Sequence, residues 1–218
     1  SNSGGHMYFS IKEPFHYETV IKKSRFICDL IPVHDTEEAK DALATIRKHY
    51  YDATHHCSAL RLGTTGTLQE QSNDDGEPAG TAGRPMLHVL QQRDMTNVLA
   101  VVTRYFGGIK LGTGGLARAY GGTLAESVTA APIVAYVAHH RYSVQIPYDL
   151  SGALENAWKD MPYIIVDRQF TDTVRFTMDV PATTAAAFEQ NLTELTAARA
   201  VWQKDPERLL MIDYDLIK

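Results

Sequence analysis

The pattern of apolar and polar positions divides the chain into segments of two periods. Val98-Leu99-Ala100-Val101-Val102 is a continuous apolar run and predicts a strand buried on both faces. Arg25–Ile31, stopped by Pro32, and His55–Leu62 predict two further strands. Between them Ala39, Ala42, Leu43, Ile46 and Tyr50 recur at three- and four-residue steps, the mark of an amphipathic helix. Asp35 is placed to cap it, with Glu38 three residues on in a variant of the capping box. Pro85 suits the first turn of a short helix reaching about Arg93. Leu116, Tyr120, Leu124 and Val128 line one face of a helix from about Thr113 to Ala130, which Pro132 ends. Residues 63–84 are polar, glycine-rich and without period, and they read as one long loop. Loops of that length inside a domain are often functional.

Beyond residue 138 the order is strand (Tyr142–Tyr148), helix (Ser151–Met161), strand (Tyr163–Phe170), strand (Thr173–Val180), helix (Thr183–Arg199) and a weak last strand (about Leu209–Tyr214). This β-α-β-β-α-β order is the ferredoxin-like split βαβ. His139-His140, where the two parts join, reads as solvated linker. Gly152 is the only glycine after residue 138, a change of composition that supports two domains, 7–137 and 138–218. Residues 1–6 read as a cloning remnant before a native start at Met7, and no signal peptide follows.

Composition narrows the function classes. The 218 residues are 44% hydrophobic and 22% charged, as in an ordinary globular protein. The net charge of −5 argues against a histone-like binder but leaves room for a local basic patch. Two cysteines, Cys28 and Cys57, exclude a disulfide scaffold and a four-cysteine zinc site, and they fit a reducing, cytoplasmic setting. No apolar run reaches the roughly 20 residues that a membrane-crossing helix needs, so no membrane partner is expected.

Three segments could carry chemistry. Asp74, Asp75 and Glu77 lie within four positions of the long loop, and hard cations take such oxygen ligands. Mg2+ is the candidate ion there; the competing reading is an exposed acidic turn, or carboxylates that pair with the basic residues downstream. Next, Arg104 to Arg118 runs from the buried strand through Gly107, Gly108, Gly112, Gly114 and Gly115 into a helix N-terminus, where free N–H groups and the helix dipole favour an anion. Arg84, Arg104, Lys110 and Arg118 add positive charge. It is not a Walker A loop, since no Gly-Lys-Ser/Thr ends it, and not a dinucleotide fingerprint, since Ala117 stands where the third glycine belongs. Glycines that merely permit tight packing are the equal alternative. Third, strand alternation puts His55 and Cys57 on one face and His56 on the other. No third orienting group is identifiable, so a Cys–His catalytic pair is disfavoured against a small buried cysteine, and no catalytic residue or metal set is assigned.

These motifs are similar to a known family. Ser24-Arg25-Phe26, Ala53-x-His55-x-Cys57-x-Ala59, Asp74-Asp75-Gly76-Glu77-Pro78-x-Gly80-Thr81-Ala82-Gly83-x-Pro85 and Arg104-Tyr105-Phe106-Gly107-Gly108-x-x-Leu111-Gly112-x-Gly114-Gly115-Leu116 together resemble the Impact/YigZ family over about residues 7–135. The resemblance implies an α+β protein of two domains. The first would be an α/β sandwich like the second domain of ribosomal protein S-five; the other would be a ferredoxin-like domain like the last domain of the translocation elongation factor. Both halves thus echo translation proteins, and the family's eukaryotic members are translation regulators, although their partner-binding N-terminal RWD domain is not in this sequence. A likeness to small-molecule kinases also raises nucleotide binding, against which stands the absence of serine from the Gly107–Gly115 turn.

The expectation is a cytoplasmic, non-enzymatic protein that binds RNA or the ribosome and regulates translation. Arg84, Arg104, Lys110 and Arg118 would contact phosphates, and Asp74, Asp75 and Glu77 would orient those cations. The alternative is a Mg2+-dependent enzyme or binder of a nucleotide or phosphorylated small molecule in the same cleft; a protein partner is the third reading, and no cofactor is otherwise expected.

Overall fold

The structure, a computed structural model, describes residues 6–217; of the cloning remnant expected at residues 1–6, all but His6 lies outside them. The chain divides into two units. One comprises Met7–Ala135 with the last residues from Ile212; the other is Tyr136–Met211.

In the first unit the order is β1 (Phe9–Ser10), β2 (Phe15–Ile21), β3 (Ser24–Pro32), α1 (Thr36–His49), β4 (His55–Leu62), β5 (Gln69–Asn73), α2 (Gly83–Gln92), β6 (Val98–Tyr105) and α3 (Gly112–Ala130). Five strands form an antiparallel sheet in the order β2-β3-β6-β4-β5. The apolar run of β6 sits at its centre, and its alternate residues face opposite ways. Val98, Ala100 and Val102 join Phe26, Cys28, Cys57 and Ala59 beneath Met86, Leu90, Leu116, Tyr120 and Leu124 of α2 and α3. Leu99 and Val101 join Leu60 and Leu62 beneath Ala39 and Ile46 of α1. The result is a three-layer α/β sandwich. Asp35 caps α1 through the Glu38 N–H (2.8 Å), as the sequence indicates.

The stretch read as one long loop contains β5. All five of its residues are exposed and polar, so no hydrophobic period marks it. What holds this edge is Arg61 on β4, which pairs with Glu70 of β5 (3.0 Å) and donates to the Leu90 and Met95 carbonyls at the end of α2.

The second unit is built from β7 (Val134–Ile146, which begins in the first), α4 (Tyr148–Trp158), β8 (Ile164–Phe170), β9 (Val174–Pro181), α5 (Ala185–Thr196), β10 (Val201–Lys204) and β11 (Arg208–Asp213). The spatial order β10-β7-β9-β8, antiparallel throughout, is the expected split βαβ arrangement. Tyr142, Val144, Phe176, Met178, Trp158, Phe188 and Leu192 fill its core. Three expectations change. The fourth strand of the motif is β10, not the segment near 209–214, which forms β11 and also pairs with β7. Helix α5 ends at Thr196 because Ala197 and Ala198 turn left-handed (φ 51° and 62°), a stop that alanine, a strong helix former, conceals. His139-His140 is not linker but part of β7, with His139 buried.

Both tryptophans belong to the second unit, and Trp158 meets the Phe176 ring edge-on at 5.2 Å. Phe176→Ala is therefore expected to destabilise that unit by about 3–5 kcal/mol. Urea unfolding followed by tryptophan fluorescence measures this; an unchanged midpoint would contradict the core assignment.

Candidate functional site

At one end of the first unit's sheet, β6 runs into Arg104, whose guanidinium is buried (5% exposed). It lies over the rings of Phe26 (5.6 Å) and Phe106 (5.4 Å) and donates to Glu77 (2.9 and 3.2 Å). Its remaining donors point to the Ser24 hydroxyl at 3.4 Å. Glu77, also buried, accepts from the Tyr120 hydroxyl of α3, and its Oε1 stands 3.3 Å from His55 Nε2. One carboxylate thus gathers the sheet, α3 and its own loop. The alternation expected of β4 holds: His55 and Cys57 face this cluster, and the His56 ring lies on the other side against the Tyr50 carbonyl (2.7 Å).

The remaining loop carboxylates serve different partners. Asp74 accepts from the N–H groups of Gly80, Ala82 and Gly83 and so caps α2, whose own N-cap residue, Ala82, has no side chain able to do it. Asp75 is bound by Arg47 (2.8 Å) and the His56 N–H (2.7 Å), while its carbonyl accepts from His55 Nδ1. Partial burial opposes charge on both. The three N–H groups on Asp74, and Arg47 with the His56 N–H on Asp75, outweigh it and hold both carboxyls below the usual range. The three carboxylates therefore do not converge, and among the described residues no group of three or more His, Cys, Asp or Glu is placed to hold a metal ion.

Nucleophilic chemistry is poorly served here. Burial pushes the Cys57 thiol up to about 12, and the nearby carboxylates add to the rise. Its sulfur donates to the Asp74 carbonyl (3.1 Å). Burial first, then Cys57 and Glu77, push Tyr120 far above its ordinary value.

The glycine-rich turn lies beside this cluster. Gly107 has its amide on the Ser24 hydroxyl (3.2 Å), and a β-carbon there would stand 2.1 Å from the Lys23 carbonyl carbon, so no larger residue fits. Gly108 and Gly112 have left-handed φ (89° and 73°); Gly112 starts α3, and Gly114 and Gly115 complete its first turn. The N-cap residue of α3, Leu111, has no side chain able to cap it. Lys110 and Arg118 are exposed, and Arg118 Nη1 folds back to 3.2 Å from the place of a Gly114 β-carbon. Arg84 is exposed at the start of α2, within the electrostatic reach of Asp74.

The predicted residues therefore separate into two sets. Arg104, Glu77 and Cys57 are buried with half-buried His55 against them, whereas Lys110, Arg118 and Arg84 stay at the surface. Sequence reasoning missed Ser24 and Tyr120: Ser24 lies in a motif with no marked chemistry, and Tyr120 falls on the apolar face of its helix.

Glu77→Ala would leave Arg104 buried without its counter-ion, and an unfolding free-energy loss of about 3–5 kcal/mol is expected in urea. Acid acts on Asp74 and Asp75. Their lowered pKa values give stability that is complete above the unfolded-state value of about 4 and is lost as pH falls through the folded values. Asp74→Asn is expected to flatten the stability profile between about pH 5 and 2; a profile parallel to wild type would contradict the capping role.

A model of the Impact N-terminal domain matches residues 22–128, and one of a domain of unknown function (DUF1949) matches residues 144–199. The chain is 40% identical to IMPACT family member YvyE of Bacillus subtilis, over 89% of each chain. It is 36% identical to IMPACT family member YigZ of Escherichia coli, over 81% of this chain and 87% of that one. A crystal structure titled as a hypothetical protein superposes with a TM-score of 0.58 at 32% identity, covering 95% of this chain and 98% of the other. With the Arg104-Tyr105-Phe106-Gly107-Gly108 turn packed on Ser24 and the Asp74–Glu77 loop closed over it, these matches place the chain in the IMPACT family.

Proposed function

We propose that this protein is a cytoplasmic, non-enzymatic RNA-binding protein that acts on the translation machinery through the N-terminus of α3. The supporting observation is the exposed pair Lys110 and Arg118 at a glycine-rich helix start whose N-cap residue, Leu111, makes no side-chain cap, with the Arg118 guanidinium folded along the first turn. Free N–H groups, the helix dipole and two cations favour phosphate there. The acids do not compete: Glu77 is bound by Arg104 and Tyr120, Asp75 by Arg47, and Asp74 by backbone N–H groups. Arg104 keeps a different role from the one its charge suggests. It supports the turn from below and leaves phosphate contact to Lys110, Arg118 and Arg84. A binding role also agrees with the thiol of Cys57, which is held protonated at neutral pH. No helix among the described residues is long and apolar enough to cross a membrane.

Structured RNA and ribosomes are expected to bind saturably at low salt with Mg2+ present. Each phosphate contact adds about −0.7 to −0.9 to the slope of log affinity against log salt. Lys110→Ala/Arg118→Ala is expected to weaken binding roughly tenfold or more and to reduce the slope by about 1.4 to 1.8. Equal affinity in the double variant, or no binding by the wild-type protein at either salt, would overturn the proposal.

A further inference from the structure

Lys22 and Lys23 form the two-residue turn between β2 and β3, both with left-handed φ (46° and 68°) and both exposed. Ile21 and Ser24 pair directly across the turn, so it is tight. Its position is fixed by the Gly107 backbone, which lies against the Lys23 carbonyl, and by the Gly107 amide on Ser24 Oγ. The lysine turn and the Phe106–Gly107 turn are therefore one surface.

Phe106 is 48% exposed, although it is a large apolar ring. It is not loosely held. Its N–H donates to the Thr54 hydroxyl (3.1 Å), and its ring stands over the buried Arg104 guanidinium at 5.4 Å. Lys110 follows four residues later in the chain. Lys22, Lys23, Lys110 and Arg118 are all exposed, and none forms an ion pair among the described residues. The sequence from Arg104 to Arg118 contains no acid at all. In a chain of net charge −5 this segregation is a strong local departure.

An anchored, half-exposed aromatic ring among unpaired cations is the arrangement that takes a base on the ring and phosphates on the charges. A base within a duplex has both faces covered and offers none to a side chain. Resting on the RNA-binding function proposed above, we infer that Lys22, Lys23, Phe106, Lys110 and Arg118 form a site for an unpaired stretch of RNA, with one base stacked on Phe106. The buried Glu77–Arg104 pair is the platform under that ring. The surface thus selects single-stranded loops or ends over duplex RNA.

The test compares a 12-nucleotide single-stranded RNA, a duplex of the same length and polyglutamate as an acidic polymer, with the full chain. Wild-type protein should prefer the single strand. Phe106→Ala should lose roughly tenfold or more on the single strand and little on the duplex. Lys22→Ala/Lys23→Ala should reduce the salt slope by about 1.4. Phe106→Trp keeps a stacking ring, so it should bind as wild type and have its added fluorescence quenched by the single strand; thermal unfolding checks that each variant is folded. Wild-type affinity in both the Phe106→Ala and the Lys22→Ala/Lys23→Ala variants, with Lys110→Ala/Arg118→Ala still impaired, overturns this inference and leaves the broader function standing. Equal binding of polyglutamate, unaffected by Phe106→Ala, overturns it in favour of an acidic protein partner. Failure of the wild-type protein to bind any RNA removes both.

Discussion

The first unit depends on a buried ion pair. Glu77 and Arg104 are both nearly inaccessible, and each would be costly to bury alone. Their mutual attraction is supplemented by hydrogen bonds from Tyr120 and to Ser24, so the charges keep polar partners in place of water. Because the four residues come from the 74–82 loop, β6, α3 and the start of β3, the pair ties together segments that share no local sequence. The loop can be long and still have one conformation because its carboxylates each hold a different part: Asp74 the start of α2, Asp75 Arg47 of α1, Glu77 the sheet.

This arrangement also governs what the surface can do. With the acids committed inward, the positive charge of the glycine-rich segment is not cancelled by its neighbour in the chain. Arg104 is buried under Phe106, while Lys110 and Arg118 stay in solvent. Gly107 allows the lysine turn to approach so closely that two short segments distant in sequence present one face. A buried network and an exposed cationic patch are thus two sides of the same construction, the first rigid and self-satisfied, the second open to an anion.

Much of the fold was legible because burial imposes a period. Val98–Val102 read as a central strand, and it is one; the face of α1 and the Asp35 cap followed from spacing alone. Elements without a buried face left no such record. Strand β5 is polar and wholly exposed, and it is held to β4 by its backbone ladder and the Arg61–Glu70 pair rather than by a buried face. The fourth strand of the second unit was displaced for a related reason: Val201–Lys204 is short and mostly exposed, and the left-handed stop before it is made by alanines. At the candidate site, charge and glycine singled out the loop and the turn that the fold brings together. Ser24 and Tyr120 went unnoticed because nothing in their neighbours shows that they will meet Arg104 and Glu77 across 80 and 43 residues of chain.

By itself, then, the sequence determined the α+β class, the two-domain plan, the motifs of the family and the stretch where acidic and basic residues concentrate, since these follow from local periodicity, composition and order. Only the tertiary structure decided which charges cancel. A count along the chain treats Arg104 and Lys110 alike; folding buries the one against Glu77 and leaves the other in water, because desolvating a cation is tolerable only where a carboxylate and hydrogen-bond acceptors are already in place.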